Sequence, residues 1–438
     1  MCDTLAALPA VTRDKVVIFA KSADCEVNEA NAVVRIPHRK HVKGEAVRIT
    51  HLVIPQAEET YEMILTKAWW TYGCEVGINE HGLAMGEEAV FTTQMTETKD
   101  GIIGPDLMRL ALERSRTCQE ALELMTALLE KYGQGGSAEM KGNSHFDSSF
   151  LMADTREAYI LETAGRKWAM KKIEELDSIS NMLGISTDWQ RSSESSDGKK
   201  MDWARTYALP DYPPNLGSPT RQSITCGTLG AARGQITSQT IFQLMRQHGE
   251  GYHPATAETH RNVCIHAGPQ ENRWWQADGV MVTEAGPQGL LVWLTGTYGN
   301  CVSIFKPVFL GMDLPDIGPT PTERFDPRSL WWKHELLHRR AMADFDHLVP
   351  EIRKDFDALE DEFLAESVSV RRGTPEEKRD FMEYAFRKAM DSTEAWIARL
   401  RQRTDLRFEN AAYRAMWQKL NAEAGMTGMP DEQGSVVS

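Results

Sequence analysis

The sequence predicts an α+β fold built in layers and followed by a helical appendage. Runs of β-branched and aromatic residues come first, two helical segments follow, and more strand-like runs come after them. Strands grouped in this way fit a layered α+β domain better than alternating βαβ units, in which each strand would be followed by a helix. Beyond residue 328 the chain turns to charged helical periodicity, which predicts an antiparallel helical extension.

The first part of the layered region combines strands with two helices. Pro105 opens one helical pattern, and Thr117 and Glu120 have the spacing of a capping box that begins a second helix. Strands are expected before these helices at Lys15–Lys21, Ala32–Ile36, Ala46–Ile54 and on both sides of a turn at 79–82.

The second part contains more strands, a polar loop and a short helix. Residues 188–222 are rich in serine, aspartate, glycine and proline, so they are expected to form a long surface loop. A helix is expected at Gln239–Gln247. Strands are expected at Ser149–Ala153, Ala158–Glu162, Trp168–Ile173, Leu290–Thr295 and Cys301–Phe305.

A proline-rich segment suggests where the layered domain ends. Five prolines lie between Pro307 and Arg328, and helical periodicity follows with a break near 371–375. The predicted division is a domain at 2–308, a linker at 309–328, a helical extension at 329–425 and a disordered tail at 426–438.

Charge and hydropathy exclude several classes of partner. The net charge of -14 offers no basic surface for nucleic acid or an anionic membrane. No segment approaches the roughly 20 apolar residues that span a bilayer. The apolar stretch Leu5–Val11 has no basic residue before it and has Asp3 beside its start, unlike a secretory signal peptide, so a cytoplasmic location is expected.

Reduced cysteines are expected in that location. Their number is odd and no Cys-x2-Cys pair occurs, so the sequence predicts neither a disulfide framework nor a thiolate zinc site. Each is therefore expected to be a buried small hydrophobe or a reactive thiol: Cys2, Cys25, Cys74, Cys118, Cys226, Cys264 and Cys301.

Cys2 is the strongest candidate for a nucleophile. Methionine is generally removed before a small residue, and removal of Met1 would give Cys2 a free α-amino group beside its thiol. An α-amine of pKa about 8 can act as a general base for that thiol. The alternative is an incidental cysteine on a frayed terminus. The apolar run and strand that follow favour a terminus held in a sheet.

The sequence around Cys2 resembles the secernin and bacterial dipeptidase group of cysteine N-terminal-nucleophile (Ntn) hydrolases. MCDT is followed by ALP and VVIFAKSAD, and further matching segments extend to about residue 308. The resemblance implies an αββα sandwich, with two antiparallel sheets between helical layers, and a cysteine hydrolase that needs no cofactor or metal. The segments are EVGINEHGLAMGEEAV, LEKYGQGG, SSFLMADTREAYILETAGRKWA, SISNMLGIST and SIFKPV.

The resemblance also implies roles for residues around the nucleophile. Asp24 matches an aspartate near the α-amine, where a carboxylate would orient that group, or it is a turn residue. Lys21 matches a basic position that would stabilise the thiolate, or it is a surface charge. Asn181 matches an asparagine that positions substrate or polarises its carbonyl, or it is a turn residue. Arg221 matches a buried arginine of the group, or it lies on the surface.

The chain departs from the family pattern at Glu87. Secernins commonly read Gly-Asn-Glu where this chain has Gly86-Glu87-Glu88. Glu87 is therefore a candidate for binding a cationic amine of the substrate, or it lies on a solvated edge. Ser22 replaces the usual asparagine of the family, which is a smaller change.

A second motif offers a competing interpretation. His334, Glu335 and His338 satisfy HExxH, in which two imidazoles on one helix face bind zinc and the glutamate activates water. The motif lies in the helical extension, among basic neighbours and outside the region of resemblance. A metallopeptidase is therefore the more distant alternative. The three histidines His253, His260 and His266 lack tight ligand spacing.

The resulting functional hypothesis is hydrolysis of small amides, most of all dipeptides, through an acyl-enzyme on Cys2. A non-peptide amidase or acylase of the same fold is the alternative within this class. A non-catalytic interaction protein is the alternative outside it, because animal secernins are associated with regulated secretion. The expected partner is a small amide or dipeptide, with homo-oligomerisation through the C-terminal helices left open.

Overall fold

Two antiparallel β-sheets lie face to face at the centre of the protein. The computed structural model describes residues 1–95, 101–140, 144–194, 200–212, 216–258, 260–271 and 273–430. The first sheet contains the N-terminal strand and, within these ranges, has six strands. In spatial order they are β14 (Leu176–Ile179), β1 (Asp3–Ala7), β2 (Val17–Glu26), β16 (Trp275–Gly286), β17 (Gly289–Leu294) and β18 (Lys306–Val308).

The second sheet has eight strands within the described residues, and all its pairings are antiparallel. In spatial order they are β15 (Arg191–Ser192), β13 (Lys167–Ile173), β12 (Ala158–Ala164), β11 (Asp147–Ala153), β10 (Ala84–Val90), β9 (Val76–Asn79), β8 (Met63–Ala68) and β3 (Asn31–Ile36). Two short hairpins pair β4 (Arg39–Lys40) with β7 (Glu59–Thr60), and β5 (Ala46–Arg48) with β6 (Val53–Pro55).

Helices cover the outer face of each sheet. On the second sheet, α1 (Gly104–Arg114) and α2 (Cys118–Tyr132) pack over the central strands. On the first, α4 (Ser218–Ala231) packs on β14 and β1, and α5 (Ser238–Met245) packs on β16 and β2, after the short helix α3 (Trp203–Tyr207). Strands β1, β11 and β12 are buried along their whole length because each lies between the other sheet and a helix layer. The predicted αββα sandwich is confirmed.

The C-terminal helices continue from the edge of the first sheet. They are α6 (Leu330–Ala341), α7 (Phe345–Val370), α8 (Pro375–Arg401) and α9 (Ala411–Ala424), with a 3₁₀ turn at Met342–Asp344. Both α7 and α8 contact β18, and one apolar cluster runs from the first sheet into these helices. The division of the chain at 309–328 stays a prediction. No helix of the described ranges combines the length and apolar character that crossing a membrane requires.

The prediction of a strand at Cys301–Phe305 is wrong. It forms a 3₁₀ turn at Asn300–Val302, and β18 begins only at Lys306. Gly296 and Gly299 adopt positive φ angles of 61° and 67°, which turn the chain before it can pair.

Two other segments differ from the prediction. Residues 46–54 form the β5–β6 hairpin and not one strand. The expected loop at 188–222 contains α3 and the start of α4, and its residues 195–199 and 213–215 lie outside the described residues.

Local signals at helix ends were more reliable. Thr117 accepts a hydrogen bond from the backbone N–H of Glu120, which is one half of the predicted capping box. The Glu120 carboxylate accepts from the backbone N–H of Arg116 and not from that of Thr117. The predicted break near 371–375 separates α7 from α8, where Thr374 and Glu377 form a complete capping box. Of the predicted disordered tail, residues 431–438 lie outside the described residues.

Candidate active site

The N-terminus is held between the two sheets. Cys2 is 5 % exposed and precedes β1, which is hydrogen-bonded to β2 on one side and β14 on the other. The pairing register of β1 with β2 determines which residue lies beside the N-terminus. Asp3 pairs with Ser22, so the chain before Asp3 runs toward Asp24, whose backbone carbonyl accepts from the amino group of Met1 at 3.5 Å. The terminus is therefore not frayed.

A small cavity of about 120 Å³ opens beside this terminus. Four of the predicted site residues line it: Cys2, Asp24, Glu87 and Asn181. Its wall is strongly acidic, and among the described lining residues there is no lysine, arginine or histidine. The additional carboxylates on the wall are Glu26, Glu29, Glu75 and Glu139.

Asn181 faces the nitrogen of the nucleophile candidate. The backbone N–H of Cys2 donates to Oδ1 of Asn181 at 2.7 Å, and Nη2 of Arg221 donates to the same oxygen at 2.7 Å. Because a guanidinium only donates, this contact fixes which end of the amide is the oxygen. The amide nitrogen donates to the carbonyl of Ala89 at 2.9 Å, which uses one of its two N–H groups.

Arg221 lies behind the cavity wall and not on it. It projects from α4, is fully buried, and donates through Nε to a carboxylate oxygen of Asp3 at 2.9 Å. Its Nη2 also donates to the hydroxyl of Ser180 at 2.8 Å. Arg221 therefore holds β1 and the Asn181 loop together, and no contact with the cavity is seen for it among the described residues.

Lys21 crosses from one sheet to the other. Its buried Nζ donates to the backbone carbonyl of Glu75 at 2.7 Å, to that of Glu87, and to the Glu75 carboxylate at 3.2 Å. The sheets approach closely here because residue 86 is glycine. A Cβ at Gly86 would lie 2.6 Å from the hydroxyl of Thr4 and 2.9 Å from the Lys21 side chain.

Burial dominates the electrostatics of the cavity. It raises the pKa of the Cys2 thiol to about 12, although the Lys21 charge acts in the opposite direction. Burial also raises the pKa of Asp24 to about 8, against the lowering effect of the nearby amino terminus. The pKa of Glu87 rises to about 7 for the same reason, with Lys21 opposing. While Met1 remains attached, the thiol is thus protonated at neutral pH.

Several polar atoms in the cavity have no hydrogen-bond partner among the described residues. They include both carboxylate oxygens of Asp24 and Oε1 of Glu87. Unsatisfied buried acceptors are costly, and their persistence at one place is typical of a site that binds a donor.

Two of the acidic residues near the cavity, Glu75 and Glu29, had no predicted role. Glu75 begins the matching segment EVGIN and is the charged partner of Lys21, a pairing that only the approach of the sheets creates. Glu29 accepts from the indole N–H of Trp70 at 2.7 Å, and burial raises its pKa to about 7. No spacing pattern in the sequence signals either contact.

The HExxH motif lies elsewhere and its imidazoles point to separate partners. His334 Nε2 lies 2.9 Å from the carbonyl of Tyr298, so that nitrogen carries the proton and donates. His338 Nδ1 lies 2.8 Å from Glu335, whose other oxygen accepts from Arg339 at 2.7 Å. Burial would raise the pKa of Glu335, but Arg339 and His338 lower it to about 2. The two histidines do not converge on a common ligand site.

Comparison with known proteins relates the region around the cavity to one family. Residues 2–186 match the sequence model of Peptidase family C69. The matched stretch includes the cavity residues Cys2, Asp24, Glu87 and Asn181 and ends before Arg221.

Solved structures of three hydrolases are similar to the chain at low sequence identity. A mutant of conjugated bile acid hydrolase from Clostridium perfringens is 12% identical, with a TM-score of 0.45, covering 72% of this chain and 93% of that one. Penicillin V acylase from Agrobacterium tumefaciens is 12% identical, with a TM-score of 0.41, covering 70% and 86%. The Caenorhabditis elegans N-acylethanolamine-hydrolyzing acid amidase ortholog is 8% identical, with a TM-score of 0.32, covering 64% and 92%.

Proposed function

We propose that the chain, whose residues 2–186 match the sequence model of Peptidase family C69, is a cysteine hydrolase of dipeptides with Cys2 as its N-terminal nucleophile. Removal of Met1 would convert the Cys2 nitrogen into an α-amine. The single observation that carries the proposal is the position of that nitrogen, which is buried beside the cavity and 2.7 Å from Oδ1 of Asn181.

The amine then serves as the base for its own thiol. It takes the proton from the sulfur, and the thiolate attacks the carbonyl carbon of the amide substrate. The resulting ammonium returns the proton to the leaving amine as the C–N bond breaks, which leaves a thioester on Cys2. Water attacks the thioester, releases the acid and restores the thiol. Removal of Met1 also enlarges the cavity, because Met1 lines it.

Asp24, Lys21 and Asn181 assist in different ways. Asp24 holds the ammonium form of the α-amine with carboxylate oxygens that have no other partner among the described residues. Lys21 supplies a positive charge that favours the thiolate. Asn181 orients the amine through Oδ1, and its second N–H is left to donate to the developing oxyanion. Arg221 is a positioning residue that fixes Asn181.

The acidic wall supports a substrate with a free amino group. Glu87 is the proposed binding residue, since its buried Oε1 has no hydrogen-bond partner among the described residues and Lys21 partly offsets the rise in its pKa that burial causes. The small volume supports a short substrate such as a dipeptide. A non-peptide amidase or acylase would have no need for so many carboxylates. We place the reaction in the cytoplasm, where the thiol stays reduced.

The test uses a removable N-terminal fusion whose cleavage leaves Cys2 as the first residue. Before cleavage we expect slow alkylation of Cys2 by iodoacetamide and no dipeptide hydrolysis. After cleavage we expect one fast-reacting thiol, mapped to Cys2 by mass spectrometry, together with turnover. Intact mass of the unfused protein should show the loss of Met1.

Two outcomes would contradict the proposal. Equal turnover before and after cleavage would mean that the α-amine is not the base. A cleaved protein with neither turnover nor a reactive Cys2 would favour the non-catalytic interaction role.

Substrate selection by Glu87 can be tested with a matched pair of ligands. Glu87→Gln is expected to raise KM for a free-amine dipeptide about tenfold, because one charge-assisted hydrogen bond is lost. KM for the N-acetylated dipeptide, which lacks that charge, should change little. Glu139→Gln, at the partly exposed part of the wall, serves as the control. Equal effects of Glu87→Gln on both ligands would remove Glu87 from amine recognition.

A further inference from the structure

Four potential metal ligands converge outside the candidate active site. They are His248, Cys264, His266 and Cys301, and one ligand atom of each lies within 4.8 Å of all the others. Three are buried and His248 is partly exposed. We propose that these four side chains bind one zinc ion in a closed, structural Cys2His2 site.

The distances between the ligand atoms fit a tetrahedron. Nε2 of His248 and Nε2 of His266 are 3.2 Å apart, and the Cys264 and Cys301 sulfurs lie 3.6 and 3.4 Å from Nε2 of His266. Zinc bonds of about 2.3 Å to sulfur and about 2.0 Å to nitrogen give tetrahedral edges of about 3.3 Å between nitrogens and about 3.5 Å between nitrogen and sulfur. Three of the six edges thus have the expected length, and the other three are at most 4.8 Å.

Hydrogen bonds between these four side chains do not explain why their ligand atoms lie so close together. Nε2 of His266 faces three atoms at hydrogen-bond distance, those of His248, Cys264 and Cys301. An imidazole nitrogen has one proton or one lone pair, so it can satisfy one such partner well. A metal ion accepts a lone pair from all four atoms at once.

A chain of hydrogen bonds behind the cluster prepares His266 to be a ligand. Glu335 accepts from Nδ1 of His338 at 2.8 Å, which leaves Nε2 of His338 as an acceptor. That nitrogen lies 3.4 Å from Nδ1 of His266, which must then carry the proton. Nε2 of His266 is thereby left with its lone pair toward the cluster. Such carboxylate–histidine partners orient metal ligands in known zinc sites.

In this arrangement, two residues of the HExxH motif support the proposed zinc site without binding the ion. Glu335 and His338 orient a ligand, whereas His334 donates to the carbonyl of Tyr298 and stands apart. The backbone of the ligand loop is also fixed, since buried Arg273 donates to the carbonyl of His266 at 2.6 Å. Because Glu335 and His338 belong to α6, this chain of hydrogen bonds connects the C-terminal helices to the proposed site.

All four positions around the ion would be filled by the protein, so no water or substrate would bind it. Rings of Tyr252 and Phe345 pack against His248 and His266 and shield the cluster. Binding of Zn²⁺ breaks the S–H bonds of Cys264 and Cys301 and releases two protons to solvent. Two thiolates and one dication leave the buried site neutral.

The test is metal analysis of the full-length protein purified from zinc-supplemented cells. We expect about one zinc per chain that remains after gel filtration in EDTA. Protein grown with CoCl₂ should show the ligand-field and thiolate charge-transfer absorption bands of tetrahedral Co²⁺. Cys264→Ser with Cys301→Ser should lower the zinc content at least tenfold, and Cys226→Ser, a cysteine outside the cluster, should keep it.

The two metal hypotheses give opposite results for one substitution. His334→Gln should keep the zinc, whereas an HExxH zinc site would lose it. If the double cysteine variant does not fold, titration of the wild-type protein with a mercurial thiol reagent should release zinc as Cys264 and Cys301 react. Wild-type protein with less than a tenth of an equivalent of zinc and no cobalt bands would overturn the proposal. A disulfide between Cys264 and Cys301 in freshly purified protein would also overturn it.

Discussion

Cys2→Ala is expected to lower kcat/KM for dipeptide hydrolysis by about 10⁴-fold or more, because it removes the atom that forms the acyl-enzyme. Alanine is also small enough for Met1 to be removed, so the variant keeps the α-amine and loses only the sulfur. Cys2 is buried beside a cavity and not in the main apolar clusters. The thermal midpoint should therefore change little, and a loss of activity would report on chemistry.

Cys25 provides the matched control for this substitution. It is also buried and lines the same cavity. Cys25→Ala is expected to retain most of the activity, since Cys25 has no free α-amine to act as its base. The measurement is steady-state kinetics on a free-amine dipeptide, with intact mass to verify the N-terminus. An active Cys2→Ala protein beside an inactive Cys25→Ala protein would move the nucleophile to Cys25.

Arg221→Met is expected to lower the free energy of unfolding by about 3–5 kcal/mol at neutral pH, because it leaves the buried Asp3 carboxylate without its countercharge. Methionine keeps a similar apolar stem. Burial raises the pKa of Asp3 and Arg221 opposes this, so removing the arginine raises that pKa further. A protonated Asp3 needs no countercharge. The loss of unfolding free energy caused by Arg221→Met should therefore become smaller as the pH falls toward the unfolded-state pKa of about 4.

The double variant Asp3→Asn with Arg221→Met separates stability from positioning. Removing both charges should restore much of the lost stability. Activity should remain low, because Asn181 has still lost the donor that fixes its Oδ1. Urea unfolding and dipeptide kinetics measure the two quantities on the same samples. A single Arg221→Met variant that loses less than about 1 kcal/mol would show that the ion pair contributes little.

The sequence was informative where a local pattern reflects a local cause. Apolar runs identified the strands that lie between two layers, and Thr117 marked a helix start because capping depends on neighbours only three residues away. The αββα arrangement and the positions of Asp24 and Asn181 came from the family resemblance. Their convergence on Cys2 depends on β1 pairing with both β2 and β14, which no single segment encodes.

Contacts between distant segments were the ones that the sequence did not reveal. Lys21 meets Glu75 only because the sheets face each other, and Arg221 meets Asp3 only because α4 docks on β1. Cys264 and Cys301 are separated by the β16–β17 hairpin, so they form no Cys-x2-Cys pair that a reader of the sequence would notice. The expectation of no thiolate zinc site rested on that spacing, and the proposed site replaces it.

The burial of Met1 against the backbone of Asp24 has a practical consequence for anyone producing this protein. An affinity tag left in front of Cys2 would have to thread out of a cavity of about 120 Å³. Such a tag would block the amine until it is cleaved off. A preparation that keeps it should be inactive, so a permanent purification handle belongs at the other end of the chain.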